Sequence, residues 1–476
     1  MNTLLKSLFG LLAYLSVVIL PLAIVGYTNG IDRPWQDELS SALAVIAFNI
    51  LFLEFLLSGR IRALSWIFGI DWVLQIHQLF SRTAMLMLLI HPFIYSLPHR
   101  PEYAPGPPDE RYLGLTGTTL MSGLIALIVL GALIGLAITR NNSKSSYESW
   151  RLTHVILALL VIGLGIHHIF GAGLYSHQDP LKWYWQLAVA IAILSLLRGY
   201  LWIPLMQRMK PYRVVSVKPV AHQIHELLIE PVSRSISYRA GQFTWLKLGS
   251  TKPLFENPFS FASYGLEQSR IRFIIKDIGD FTHAVGELHP GQTVYLNGAF
   301  GNFGKNIHGD EPLVLIAGGV GIAPIKSVLE SFAGKNIGRP IYLIYGNRIA
   351  DQALDLAKDP FLAHCKDLRV FQILTEPHSG WSGLTGVIDR DNLARCLPEN
   401  ILKNTNVSYL VCGPAVMIDA TETALADLGV SLSQIESERF QYDFTSKTKR
   451  NFLSVTSWLI GTILLATMAI YFAYAW

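Results

Sequence analysis

Five histidines stand in strongly apolar sequence. His77 and His91 lie in IHQLFSRTAMLMLLIHPFIYSL, and His154, His167 and His168 lie in THVILALLVIGLGIHHIFG. A neutral imidazole is a metal ligand, and an ionisable ring inside a lipid-facing run is costly enough to mark function. His77 and His91 are 14 residues apart. On a helix that interval is about 21 Å of rise and about 1,400° of turn, within about 40° of four whole turns, so the two rings share a face. His154 to His168 repeats the interval. His154 to His167 is one residue shorter, about 140° off that face on an ideal helix. Gly163 and Gly165 precede the pair and allow a local irregularity. Histidines at two matched depths on two facing helices can each fill an axial position of an iron, the chemistry of two stacked haems.

The elements that must carry these rings are apolar runs of spanning length near 7–27, 40–58, 73–96, 118–139, 152–171, 184–205 and 453–475. Hydrophobic residues make up 51% of the 476-residue chain and charged ones 15%, which favours a membrane protein over a soluble one. Lys6 precedes the first run, which is too long for a signal-peptide core and is read as a retained span. Lys6, then Arg60 and Arg62, then Arg140, Lys144 and Arg151, then Arg208, Lys210 and Arg213 fall on alternate loops. The positive-inside rule makes that side cytoplasmic and expects residues 207–450 there, in a cell (inner or plasma) membrane protein. Both histidine-bearing helices then run outward, which makes His77 and His154 the inner pair. Cys365, Cys396 and Cys412 lack metal-site or disulfide spacing and suit a reducing compartment. The net charge of +4, without a basic run interleaved with aromatics, gives no case for nucleic acid. Arg82, inside the third run, would need a haem propionate or Glu54 to neutralise it.

Four regions follow: 1–206, a six-helix membrane bundle; 211–306, short alternating strands that predict an antiparallel β-barrel; 312–444, a strand–helix rhythm that predicts an α/β parallel sheet; and 453–475, one more transmembrane helix. In the third, LVLIAGGVGIAPIKSVL reads as strand, glycine turn and helix. Gly318, Gly319 and Gly321 let backbone approach a phosphate at a helix N-terminus, with Ile322 and Pro324 in the turn that follows. Arg348 in YGNR and Cys412, Gly413 and Pro414 in CGP end two later strands, where ligands bind in open α/β sheets. Arg348 could meet a 2′-phosphate, which tilts the nucleotide toward NADPH over NADH. In the barrel region NPFSFAS, IKDIGDFT and NGAFGNFG stand in that order ahead of the glycine loop.

Together these motifs resemble the ferredoxin–NADP reductase (FNR) superfamily, and with the histidine-bearing bundle they resemble the NADPH oxidase and ferric reductase family of transmembrane flavocytochromes b, over about residues 40–444. The resemblance implies FAD held by Asn257, Pro258, Phe259 and Ser260 and by Ile275, Lys276, Phe281 and Thr282. It implies NAD(P)H at Gly318–Pro324 and Cys412–Pro414, and an aromatic over the flavin at Phe440, with Tyr442 and Phe444 as alternatives. It implies two b-type haems on His77, His154, His91 and His167, preferring the shorter interval that ideal helix geometry does not. Asn257 stands where the family has His or Arg, Ala299 where Pro is expected, and the chain continues past Phe440 into another span. A nicotinamide gives two electrons and a haem takes one, so a flavin must stand between. The expected route runs from NAD(P)H through FAD, inner haem and outer haem to an acceptor outside, oxygen or a ferric chelate. Alternatively the chain relays electrons to a quinone or a partner protein. Bis-histidine ligation leaves no open iron site, and no covalent or acid–base catalytic residue is expected.

Overall fold

The computed structural model describes residues 3–27, 34–58, 70–97, 117–142, 147–173, 175–249, 256–264, 270–307, 311–332, 339–359, 367–439 and 449–475. Phe440, Tyr442, Phe444, Cys365, Arg60, Arg62 and Lys144 lie outside them. The chain forms two compact units, Thr3–Trp202 with Leu453–Trp476, and Ile203–Phe452. The regions expected as separate barrel and sheet domains thus share one unit.

The first unit is helical: α1 (Thr3–Tyr27), α2 (Trp35–Ser58), α3 (Ile70–Tyr95), α4 (Gly117–Ile138), α5 (Tyr147–Ala172) and α6 (Asp179–Leu197). A π-turn, Arg198–Trp202, ends α6 and leads into the short α7 (Ile203–Arg208), and the last helix of the chain, named below as α13, returns to this unit. Seven helices of the described residues are long and apolar enough to cross a membrane. Helix α2 packs along α3, and α4 packs along α5. Much of the large apolar surface points outward, as at Leu124, Ile128, Leu194 and Ile463, while Ile46, Ile50, Phe80 and Trp185 fill the interior. That inside-out distribution is what a bilayer solvent permits.

The second unit opens with a six-stranded antiparallel sheet of order β4-β3-β6-β1-β2-β5: β1 (Tyr212–Ala221), β2 (Ile224–Pro231), β3 (Phe243–Leu248), β4 (Glu256–Ser260), β5 (Ile271–Lys276) and β6 (Thr293–Phe300). Helix α8 (Asp280–Gly286) follows β5. The Ala262 N–H donates to the Arg272 carbonyl (2.8 Å), drawing the segment after β4 to β5. Alternate residues of these strands, Tyr212, Val214, Leu227, Ile229, Leu246 and Phe273 among them, make one core.

The second sheet is wholly parallel, of order β10-β9-β8-β7-β11-β12. Its parts are β7 (Leu313–Gly318), α9 (Ile322–Phe332), β8 (Ile341–Asn347), β9 (Leu368–Leu374), β10 (Leu384–Thr385), α10 (Arg390–Cys396), α11 (Glu399–Leu402), β11 (Ser408–Cys412), α12 (Ala415–Asp427) and β12 (Ile435–Glu438), before the returning α13 (Lys449–Ala475). Every residue of β7 is buried, because α9 covers one face while α10 and α12 cover the other. The chain turns one way from β7 through β8 and β9 and the other way through β11, so a crevice opens at the carboxyl ends of β7 and β11.

Candidate functional site

Two histidines of the helical unit meet across helices. The rings of His77 on α3 and His154 on α5 have centroids 6.4 Å apart at an interplanar angle of 60°. Two imidazoles on one metal, each nitrogen about 2 Å away, hold their centroids about 6 Å apart, so this donor set fits a shared iron. The Nδ1 of His77 lies 2.5 Å from Glu54 Oε2. Tyr14 donates to the other oxygen of Glu54 at 3.3 Å. His154 packs against Trp150 in a tilted contact (centroids 5.3 Å), and its Nδ1 is buried with no hydrogen-bond partner among the described residues.

His91 is held by a device legible in its own sequence. Pro92 has no N–H, so the Leu88 carbonyl, its i−4 acceptor, loses a helix bond. The His91 Nδ1–H takes that carbonyl at 2.6 Å, and Ser40 donates to the His91 carbonyl at 2.8 Å. On α5, the His168 Nδ1–H donates to the Thr119 carbonyl at 2.8 Å. A Cβ at Gly123 would lie 2.6 Å from His168 Nδ1, so the glycine makes room for the ring. His167 is exposed, its Nδ1 2.9 Å from Ser122 Oγ. His168, the residue ideal helix arithmetic favours, is half-buried where Gly123 leaves it room, and its neighbour His167 is exposed. Glu54 is engaged by His77 and Tyr14, a role the sequence did not single out.

The two segments expected to hold a flavin also come together. Strand β4 carries Asn257, Pro258, Phe259 and Ser260 opposite Leu246, Trp245, Thr244 and Phe243. Phe259 stacks on Phe281 of α8, with centroids 5.6 Å apart. Ser260 Oγ, Thr244 Oγ1 and Asn297 Nδ2 are buried with no hydrogen-bond partner among the described residues. Buried polar atoms of this kind require partners, so a polar ligand such as the flavin's fits here. Ile275 is core, while Lys276 is half-buried. Thr282 accepts the Ile278 and Gly279 N–H groups, both at 2.9 Å, and donates back to the Gly279 carbonyl at 2.8 Å. The exposed His283 sits 3.0 Å from Asp277, whose hydrogen bond and charge raise the imidazole's pKa above its ordinary value.

At the switch point, β7 ends in Gly318, a tight turn spans Gly319–Gly321, and α9 begins at Ile322 with Pro324 in its first turn. Strand β11 pairs with β7, Cys412 opposite Ala317, which brings Gly413 and Pro414 to the turn. A Cβ on Gly321 would stand 2.2 Å from the Cys412 carbonyl oxygen, and one on Gly318 2.3 Å from Met417 Sδ. Gly319 has φ +52° and nothing within 4 Å of where its Cβ would be. Two glycines thus permit close packing and the third leaves an open, left-handed backbone position, a cradle that fits a phosphate. Arg348 follows β8 and faces Glu376 (3.8 Å), both well exposed.

Sequence reasoning missed a buried ion network behind this turn. Glu330 of α9 takes Lys326 and Arg272, each at 2.7 Å, and the Tyr264 N–H at 3.1 Å. Lys326 also pairs with Asp359, and Arg272 with Glu226 at 3.2 Å. The Gly241 N–H donates to Ser327 at 3.1 Å. The only signal was an i,i+4 Lys–Glu spacing, which ordinarily marks a solvated helix face.

Comparison with known proteins agrees with this division. Residues 43–165 match the family described as ferric reductase like transmembrane component, and residues 315–423 match the oxidoreductase NAD-binding domain. The reductase component of propane 2-monooxygenase from Mycolicibacterium goodii is 30% identical over 241 residues, 48% of this chain and 66% of that one. NADH-cytochrome b5 reductase 1 from Laccaria bicolor is 30% identical over 34% of this chain and 53% of its own length. The chain spans 62–66% of the first curated relatives it matches. A solved flavohemoglobin from Malassezia yamatoensis is 17% identical with a TM-score of 0.45, covering 87% of this chain and 100% of that one.

Proposed function

We propose that this chain, which joins a ferric reductase-like transmembrane component to an FNR-like NAD-binding domain as in the NADPH oxidase and ferric reductase family, is a membrane electron-transfer enzyme. It takes electrons from cytoplasmic NAD(P)H and delivers them to an acceptor outside the cell membrane, oxygen giving superoxide or a ferric chelate. When bound, the nicotinamide supplies a hydride, FAD divides the electron pair, and two b-type haems carry single electrons.

The residues divide that work. Gly318, Gly319, Gly321, Ile322 and Pro324, with Cys412, Gly413 and Pro414, would hold the nucleotide at the switch point. Arg348 would favour a 2′-phosphate and hence NADPH. Asn257, Pro258, Phe259, Ser260, Ile275, Lys276, Phe281 and Thr282 would hold FAD, with Phe440 covering its ring. His77 and His154 would hold the inner iron. For the outer iron His91 is one ligand. We put His168 before His167 as the other, because its 14-residue interval from His154 keeps both rings on one helix face and Gly123 leaves room for its ring. Two imidazoles on each iron would leave the acceptor to be reduced without binding the metal.

The observation that carries this reading is the His77–His154 pair at 6.4 Å in a chain whose glycine loop and CGP turn meet at one sheet crevice. The test is cofactor stoichiometry. Pyridine haemochrome and flavin extraction on the purified chain are expected to give two haems per FAD, and one haem or none overturns the two-pair assignment.

A further inference from the structure

We infer that Glu54 is a positioning residue for His77, and that it holds the reduction potential of an iron bound at the inner pair below that of an iron bound at the outer pair. The inference rests on the haem reading above.

Glu54 is buried in α2, within a span where a carboxyl group is costly. Its partners account for its presence. One oxygen stands 2.5 Å from His77 Nδ1, and the other accepts the Tyr14 hydroxyl at 3.3 Å. With its Nδ1–H given to the carboxylate, the His77 ring presents the Nε2 lone pair to a metal in a fixed orientation.

The remaining rings lack this partner. His91 gives its Nδ1–H to the Leu88 carbonyl, His168 gives its own to the Thr119 carbonyl, and the Nδ1 of His154 has none among the described residues. Among the described residues, Glu54 is the one carboxylate hydrogen-bonded to any of the five histidines. A charged acceptor binds about twice as strongly as a neutral one and makes the imidazole a more electron-rich ligand. Ferric iron carries one more positive charge than ferrous, so a carboxylate on the ligand favours the ferric state and lowers the potential. The outer pair, on carbonyls alone, keeps a higher one. Transfer from inner to outer iron moves one electron, oxidising the first from ferrous to ferric and reducing the second from ferric to ferrous. With this asymmetry it runs downhill and outward.

Tyr14 belongs to α1, a helix outside the family resemblance. Its ring packs on Phe80 of α3 (4.8 Å), and Gly461 of α13 lies against the same Phe80. Thr462 and Trp458 of α13 bond Thr83 at 3.0 and 2.8 Å. Both added helices therefore brace the stretch of α3 that carries His77, and α1 supplies the donor that fixes Glu54.

The test is a spectroelectrochemical titration of haem absorbance in the full-length holoprotein, comparing wild type, Glu54→Gln and Tyr14→Phe. Wild type is expected to show two midpoints. Glu54→Gln should raise the lower one toward the upper and leave the upper in place. Tyr14→Phe, which frees the carboxylate of a competing donor, should move the lower midpoint further down. Loss of only the lower-midpoint haem in Glu54→Gln supports the positioning role, and Tyr14→Phe then reads the potential. Unchanged midpoints in Tyr14→Phe and in a haem-loaded Glu54→Gln, or movement of the upper midpoint, overturn the inference while the haem reading stands. A wild-type spectrum without haem overturns both.

Discussion

The Arg272 guanidinium and the Glu330 carboxylate meet at 2.7 Å, tying β5 of the antiparallel sheet to α9, the helix that follows the glycine turn. Glu330 is almost fully buried and also carries Lys326. Removing one partner of a buried ion network strands the others in low dielectric, a loss of about 3–5 kcal/mol. Glu330→Ala should therefore lower the thermal unfolding midpoint of the purified chain more than Lys326→Ala, which leaves the Arg272–Glu330 pair intact. Equal effects would show that Arg272 is not its main partner.

The outer pair separates by substitution. His91→Leu should remove one haem from the absorption spectrum and leave reduction of the flavin by NAD(P)H intact. His168→Leu should do the same, while His167→Leu should keep both haems. The reverse pattern at 167 and 168 would return the ligand to His167.

The glycine turn tolerates little. A methyl group on Gly321 would meet the Cys412 carbonyl at 2.2 Å, backbone against side chain, with no flexible group to yield. Gly321→Ala should raise KM for NAD(P)H or abolish flavin reduction, and leave the haem spectrum unchanged. Gly319→Ala meets no atom but demands φ +52° of an L-residue, a strain of about 1–2 kcal/mol, and should act more mildly in the same assay.

His283 supplies a pH dependence with a definite sign. Its folded pKa is raised by the Asp277 hydrogen bond and charge, with Glu287 and Asp280 adding to it. A raised imidazole contributes stability that is fully present below its unfolded value, about 6.5. That contribution is lost as pH rises through the folded pKa. The unfolding midpoint should fall less between pH 6 and pH 8, about the imidazole range, in Asp277→Asn than in wild type. An identical slope in the two proteins would remove the pair from the account.

In the proposed function, Arg348 would select the nucleotide. It is exposed, and its ion pair with Glu376 is a solvated one at 3.8 Å that a 2′-phosphate would compete with. Arg348→Ala should lower kcat/KM for NADPH and leave that for NADH nearly unchanged. Equal values for the two nucleotides in wild type would rule out a selecting role.

Much of the architecture was legible because it is local. The apolar runs mark the spanning helices, since each must satisfy its own backbone in lipid. The 14-residue interval on α3 is a property of one helix, and the His91–Pro92 step already frees the carbonyl that holds the ring. The buried strand, glycine turn and amphipathic helix at 313–332 likewise read in order. What the sequence by itself determined was which residue types stand at which depth or strand end. Only the tertiary structure decided their partners. Glu54 finds His77 across 23 residues, and Glu330 finds Arg272 across 58. His168, rather than its neighbour, seats its ring against α4 because Gly123 leaves space for it and the Thr119 carbonyl takes its Nδ1–H. A charge or a lone pair states a need for a partner, and helix–helix and helix–sheet packing selects which of several distant candidates meets it.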